Sequence, residues 1–128
     1  MLYVDKNQIN EVHKGISYNL NYPIIQTEGI NHNKVNKLNK DMYEDVETFK
    51  EVIELQNEFD YININKNIMS EYSVHLNTED MISIVIEFSQ IAGLYGISYI
   101  NSYNYDLKEG KYITLDDLFK KDSYYIKG

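Results

Sequence analysis

The sequence predicts an α+β domain in which one long amphipathic helix packs on an antiparallel meander sheet, with a short helix near the C-terminus. Two observations predict it. Apolar residues recur at spacings of three and four between positions 35 and 53, which is the period of a helix with one buried face. Segments with strict two-residue alternation stand before and after that stretch, and alternation is typical of half-buried strands. A length of 128 residues suits a single domain, 1–128.

The predicted helix has one apolar stripe and one charged face. The charged face, rich in Lys and Glu, is typical of a solvated surface. Asn31 or Asn33 is positioned to cap the start of the helix. The apolar stripe consists of Val35, Leu38, Met42, Val46, Phe49 and Ile53.

A strand is expected before the helix, from Ile16 to Ile24, where apolar and polar residues alternate. Pro23 lacks an N–H group, so this strand is expected to lie at a sheet edge or to end there. Residues 1–15 are expected to form an irregular arm or a short edge strand. We expect residues 16–95 to form a first module and residues 96–128 the truncated start of a second.

Further strands are expected after the helix, and their uninterrupted run favours an antiparallel sheet over βαβ units. Tyr72, Val74 and Leu76 are expected on one face of the second of them. Gly110 is available for the positive φ of a turn, and Thr114 is expected to cap the short helix. The predicted strands are 59–65, 71–76, 81–91 and 97–105, with a hairpin connection at 77–80.

Charge and composition exclude several classes of protein. The formal net charge is −8, and all 12 basic residues are lysines. Nucleic acids and anionic membranes attract basic surfaces, so we expect no nucleic-acid partner and no membrane insertion. A cationic partner, in contrast, suits the negative electrostatic field of this chain. The absence of Cys excludes disulfides and thiol chemistry. The 13 tyrosines accompany abundant Ile, Asn and Lys. This composition is better explained by the low-GC genome of a bacterium than by a binding surface.

No catalytic or metal-binding pattern is present in the sequence. The three His residues are scattered, no Ser stands in a nucleophile elbow, and no Gly-rich run has the spacing of a phosphate cradle. We therefore expect no enzyme activity, no catalytic residue, no metal and no cofactor.

Candidate binding residues lie in and after the Gly-bounded segment 92–96. An aromatic residue on a loop above a rigid sheet is a common binding arrangement. The strand that follows places several tyrosines on one face, which is a stacking platform if that face points outward and core if it points inward. The candidate ligand-binding residues are Tyr95, Gly96, Tyr99, Asn101 and Tyr103.

The order of segments from Tyr72 onward resembles a known family. Ser73-Val74 leads into the strand 81–88, a Gly-bounded loop follows, and the segments 102–111 and 113–119 complete the pattern. This order resembles the domains of unknown function found in the extracytoplasmic part of RsiV-type anti-sigma factors and beside the catalytic domain of PdaC-type peptidoglycan deacetylases. The Asp-Leu-Lys-x-Gly-Lys turn and the Thr-Leu-x-Asp-Leu-Phe segment are the most specific parts.

Two departures from the family pattern stand out. The family's loop reads Gly-Gly-Ala-His-Gly, and Tyr95 takes the position of its His, so a role that needs an imidazole does not carry over. Family members continue into a further half with more sheet and helix, of which residues 96–128 match the opening.

The resemblance implies a non-catalytic extracytoplasmic sensing or binding module, because in RsiV-type proteins such a region recognises lysozyme, a strongly cationic protein. The expected partner is a cationic protein or peptidoglycan. Two alternatives stay open: an accessory domain of a cell-wall glycan deacetylase, and a structural domain that self-associates through an exposed sheet edge near residues 111–113. The sequence shows no signal peptide, so the location would be cytoplasmic if Met1 is the native start.

Overall fold

A computed structural model of the protein describes residues 2–27, 32–58, 66–78, 80–93 and 95–113. Within these ranges the strands form one sheet in the order β1-β2-β3-β4-β5-β6. The elements are β1 (Leu2–His13), β2 (Ile16–Thr27), α1 (His32–Glu58), β3 (Lys66–Asn77), β4 (Met81–Ala92), β5 (Tyr95–Asp106) and β6 (Lys111–Tyr112).

The sheet is mixed, so the predicted antiparallel meander is wrong. β2 and β3 pair in parallel over residues 16–20 and 66–70, whereas the other neighbouring strands in the described ranges pair antiparallel. The 27 residues of α1 extend about 40 Å, close to the length of a 12-residue strand. The helix therefore returns the chain to the starting end of β2. The segment β2–α1–β3 is a βαβ unit. The uninterrupted run of strands after the helix had predicted that no such unit would be present.

A two-residue turn joins β1 to β2. Lys14 and Gly15 both have positive φ, 52° and 80°, which is the type I′ geometry whose twist matches that of the flanking strands. All 12 residues of β1 pair with β2 in unbroken register. The irregular arm expected for residues 1–15 is therefore wrong. The alternative of a short edge strand has the right position in the described sheet but the wrong length, because this turn sets a long hairpin despite the polar composition.

The core lies between α1 and one face of the sheet. All six residues of the predicted apolar stripe of α1 are buried, which confirms that prediction. They form one cluster with alternate residues of four strands. The sheet residues of this cluster include Ile16, Tyr18, Leu20, Ile68, Ile82, Ile84, Ile86, Phe88, Tyr103 and Tyr105.

The later strands are confirmed with shifted boundaries. β4 and β5 match the strands predicted at 81–91 and 97–105, and β3 extends the one predicted at 71–76 back to Lys66. A bulge in β3 places Val74 opposite buried Ile84 but Leu76 opposite Ser83. Val74 and Leu76 therefore lie on opposite faces, so the shared face predicted from alternation is wrong at Leu76.

Other turn and cap predictions have mixed outcomes. Gly110 has the expected positive φ, 71°. Asn33 lies inside α1, so it does not cap the helix. Asn31, the strand predicted at 59–65 and the helix expected to start at Thr114 lie outside the described residues.

Beyond the point where β2 stops pairing with β3, a side chain supplies hydrogen bonds to the backbone of β2. The strand runs past Pro23 to Thr27, so the proline does not end it, and it instead removes an N–H from the stretch that β3 leaves unpaired. The Asn39 carboxamide accepts a hydrogen bond from the Ile25 N–H at 2.7 Å and donates one to the Ile25 carbonyl at 2.8 Å. Asn39 thereby takes the place of a neighbouring strand.

Replacing this residue, Asn39→Ala, is expected to lower the free energy of unfolding by about 1–3 kcal/mol, because it leaves the Ile25 N–H and carbonyl without partners. Urea denaturation followed by circular dichroism measures the change. Asn36→Ala, at an exposed position of the same helix, is the matched control and is expected to change stability by less than about 0.5 kcal/mol. Equal effects of the two substitutions would contradict the role assigned to Asn39.

Candidate functional site

Three of the five predicted site residues lie on the helix-facing side of β5. Tyr99, Asn101 and Tyr103 each pair with a buried residue of β4. Gly96 pairs with Ile91 and lies away from these three. The structure therefore brings Tyr99, Asn101 and Tyr103 onto one face and does not bring Gly96 to them.

The connection between β4 and β5 is shorter than expected. Ala92 pairs directly with Tyr95, so the predicted loop at 92–96 is a tight hairpin turn. Gly93 has a positive φ of 60°, a backbone conformation that glycine adopts readily. The side chain of Tyr95 lies outside the described part of the structure, so its role in binding stays a prediction.

A groove runs between the C-terminal half of α1 and the β4–β5 hairpin, and its volume is about 450 Å³. We call it the α1–β5 groove. Its size is in the usual range of ligand pockets. Its lining residues are Asp45, Thr48, Phe49, Val52, Ile53 and Gln56 from the helix and Gln90, Ile97, Tyr99 and Asn101 from the hairpin.

Tyr99 is anchored by other aromatic rings but keeps 47% of its surface exposed. Its ring stacks on Phe88 with the centroids 5.1 Å apart and an interplanar angle of 21°. It also meets Phe49 edge-on at 5.8 Å. A rigid, half-exposed aromatic side chain suits a binding surface, because little rotamer entropy remains to be lost when a partner covers it.

Tyr103 belongs to the core instead of the open groove. It is 5% exposed, and its hydroxyl donates a hydrogen bond to Asp45 Oδ2 at 2.6 Å. Burial, followed by this hydrogen bond, raises the pKa of Tyr103 well above its ordinary value. Burial and the charge of Asp45 also raise the pKa of Tyr99. Both phenols therefore stay protonated at neutral pH, and that of Tyr103 is the hydrogen-bond donor to Asp45.

The groove combines one negative charge with exposed apolar surface. Asp45 is the single charged residue among its ten described lining residues. Val52 and Ile97 are 44% and 68% exposed, although both are aliphatic. Polar amide groups complete the lining. This arrangement can hold a side chain or ligand that has both a cationic and an apolar part.

Sequence reasoning missed the helix side of the groove. Asp45, Val52 and Gln56 lie on the flank of α1 beside the buried stripe and line the groove together with Phe49 of that stripe. The available signal was Val52, an apolar residue outside the predicted core stripe. It could not be interpreted before β5 was known to lie beside this flank of the helix.

The described residues hold no group of three or more His, Asp or Glu that could ligate a metal ion. The groove brings one carboxylate together with the phenol of Tyr99, which stays protonated, and it contains no His among its described lining residues. Within the described ranges, no helix has the length and apolar character needed to cross a bilayer.

Comparison with known proteins finds relatives through structure. No protein-family model matches the sequence, and no curated protein matches it. A DUF3298 family member from Bacteroides fragilis superposes with a TM-score of 0.54 at 19% identity, over 91% of this chain and 60% of that one. A DUF3298 family protein from Pseudomonas aeruginosa has a TM-score of 0.48 and 10% identity, over 91% of this chain and 55% of that one.

The structural neighbours of this chain are therefore DUF3298 proteins, a family of unknown function. This finding agrees with the part of the sequence resemblance that pointed to a domain of unknown function. At 19% identity the likeness shows the fold. The chain spans 60% of the length of the Bacteroides protein.

The raised pKa of Tyr103 predicts a loss of stability in alkaline solution. In the unfolded chain the phenol ionises near its ordinary pKa of 10.0, whereas the folded protein holds the proton to higher pH. The folded state then binds more protons, so the free energy of unfolding falls as the pH rises above about 10. Urea denaturation at several pH values between about 8 and about 11 measures this slope.

Tyr103→Phe is expected to make that slope shallower and to lower stability at neutral pH by about 1–3 kcal/mol, because a charge-assisted hydrogen bond is lost. Asp45→Asn, which keeps an acceptor and removes the charge, is expected to have a smaller effect at neutral pH. An unchanged slope in Tyr103→Phe would show that other groups control the alkaline transition.

Proposed function

We propose that this chain is a non-catalytic extracytoplasmic binding module whose α1–β5 groove receives an exposed basic segment of a cationic protein. One observation carries the proposal: Tyr99, anchored by two Phe rings and half exposed, lies in a groove whose single described charge is the carboxylate of Asp45.

The two groups favour the same kind of ligand. A Lys or Arg head group is attracted both by the face of a Tyr ring and by a carboxylate. Its aliphatic stem can cover Val52 and Ile97, which are otherwise exposed to water. The overall charge of −8 adds long-range attraction for a cationic protein and speeds encounter.

The sequence resemblance supports the location and the partner class. The segments from Tyr72 onward resemble the extracytoplasmic region of RsiV-type anti-sigma factors, which recognises lysozyme. The DUF3298-like fold is compatible with that resemblance. The groove also lacks a second carboxylate among its described residues, and acid–base catalysis usually needs a pair of titrating groups.

A second candidate function has its own supporting observation. Gln56, Gln90 and Asn101 line the groove beside Tyr99, and amide groups next to an aromatic face can bind sugar hydroxyls. This arrangement would suit an accessory domain that binds cell-wall glycan for a deacetylase. The lack of further charge among the described groove residues is compatible with a neutral glycan, whereas the acidity of the whole chain favours the cationic protein.

The test is an NMR titration of the ¹⁵N-labelled chain with lysozyme and, separately, with soluble peptidoglycan fragments. Lysozyme is expected to shift the amides of Val52, Tyr99 and Asn101, and added NaCl is expected to weaken the binding. Tyr99→Ala is expected to raise Kd at least about tenfold. Tyr43→Ala is the matched control, because Tyr43 is 45% exposed on a different flank of α1, where its ring contacts Tyr22.

The outcomes separate the two candidates. Shifts in the groove with the glycan fragments alone would favour the accessory-domain function. No groove shift with either probe at millimolar concentration would contradict both proposals. Equal loss of affinity in Tyr99→Ala and Tyr43→Ala would indicate that the partner binds elsewhere.

A further inference from the structure

We propose that two copies of this chain associate through antiparallel pairing of their β1 strands, centred on Asn7, so that two sheets join into one. The interface uses backbone groups at the edge of the sheet and is separate from the α1–β5 groove.

Within the described residues, no strand pairs with the outer edge of β1. His13 and Ile16 close the two-residue hairpin, so the odd-numbered residues of β1 exchange backbone hydrogen bonds with β2. The even-numbered residues then direct their N–H and C=O groups outward. Gln8 agrees with this direction, because its N–H donates to the side chain of its neighbour Asn7 at 3.0 Å.

β1 lacks most of the devices that protect sheet edges. Natural edge strands are usually short, bulged, or interrupted by proline. β1 has 12 residues in unbroken register with β2, and it contains no proline and one lysine, Lys6. β6, the last strand of the described sheet, has 2 residues. β1 is therefore a better edge for self-association than residues 111–113, where the sequence had predicted it.

The charges of β1 select the register of the pairing. Even-numbered residues must lie opposite even-numbered ones, because those residues hold the outward groups. Centring the pair on Gln8 would set Asp5 opposite Glu11 twice, and centring it on Lys6 would set the two lysines against each other. Like charges directly opposite destabilise a pair of strands.

Centring the pair on Asn7 avoids both conflicts. Asp5 then lies opposite Ile9, and Tyr3 lies opposite Glu11. Val12, which is 76% exposed, comes opposite Leu2 of the second copy. Every residue from 2 to 12 has a partner, whereas a pair centred on Ile9 joins the shorter range 5–13. The edge is thus complementary to itself, which favours a second copy as its occupant.

This interface is small, so the expected dimer is weak, with Kd between about 10 µM and about 1 mM. Each copy carries a net charge of −8, and the two repel each other at long range. Added salt screens this repulsion, so NaCl is expected to strengthen the dimer. The proposed binding of a cationic protein in the groove has the opposite salt dependence.

Single cysteines test the register, because the natural sequence has none. In the proposed pairing the two copies of residue 7 form a non-hydrogen-bonded pair with Cα atoms about 4.5 Å apart, which a disulfide can bridge. Asn7→Cys is expected to form a covalent dimer under mild oxidation at least about tenfold faster than Lys14→Cys, an exposed control on the turn. Equal rates for the two variants would overturn the proposal, and so would faster cross-linking of Gln8→Cys than of Asn7→Cys.

Sedimentation velocity tests the edge itself. Gln8→Pro removes an outward N–H and leaves the bonds to β2 intact, so it is expected to weaken the dimer at least about tenfold. Gln8→Ala is the control, and it is expected to keep the dimer. An unchanged circular dichroism spectrum checks that Gln8→Pro folds. A wild-type chain that stays strictly monomeric at about 1 mM in high salt would overturn the proposal.

Discussion

The architecture depends on the crossover of α1, which forces β2 and β3 into parallel pairing. That pairing spans 5 residues of each strand, and it ends at Leu20 and Ser70. Beyond the last paired residues, side-chain hydrogen bonds connect β2 and β3. Ser70 Oγ donates to the Asn21 carbonyl at 2.8 Å, and Asn21 Nδ2 donates to the Ser70 carbonyl at 3.1 Å. Asn39 then binds the backbone of Ile25 further along β2. Beyond the parallel seam, side chains thus bind the carbonyls of Asn21 and Ser70 and both backbone groups of Ile25.

The same crossover creates the candidate site by leaving the two flanks of α1 unequal. Towards β1, Lys50 fills the space: it pairs with Glu11 and lies 5.5 Å from the ring centroid of Tyr18. Towards β5, the smaller side chains of Asp45 and Val52 leave the α1–β5 groove. One flank is closed by an ion pair and a cation–π contact, and the other is open and carries the exposed face of Tyr99.

The two proposed contacts rely on different physical interactions. The groove offers side chains: an anchored aromatic ring, a carboxylate and aliphatic surface. The β1 edge offers backbone groups, whose pairing depends little on side-chain identity except where charges meet. Both sites follow from the position of β1 and β5 at or near opposite ends of the sheet, so one can be occupied without covering the other.

The sequence alone determined the helix, its six core residues and most strands, because periodicity reports which face of a single element is buried. It also identified Tyr99 and Asn101 as candidate site residues. The tertiary structure decided the parallel pairing of β2 with β3, since one pattern of strands suits either direction and the length of the crossover selects between them. It decided, too, that Tyr103 is core and Tyr99 is exposed, although both lie on the same face of β5. The reason is the position of α1, which packs over Tyr103 but leaves the α1–β5 groove open beside Tyr99.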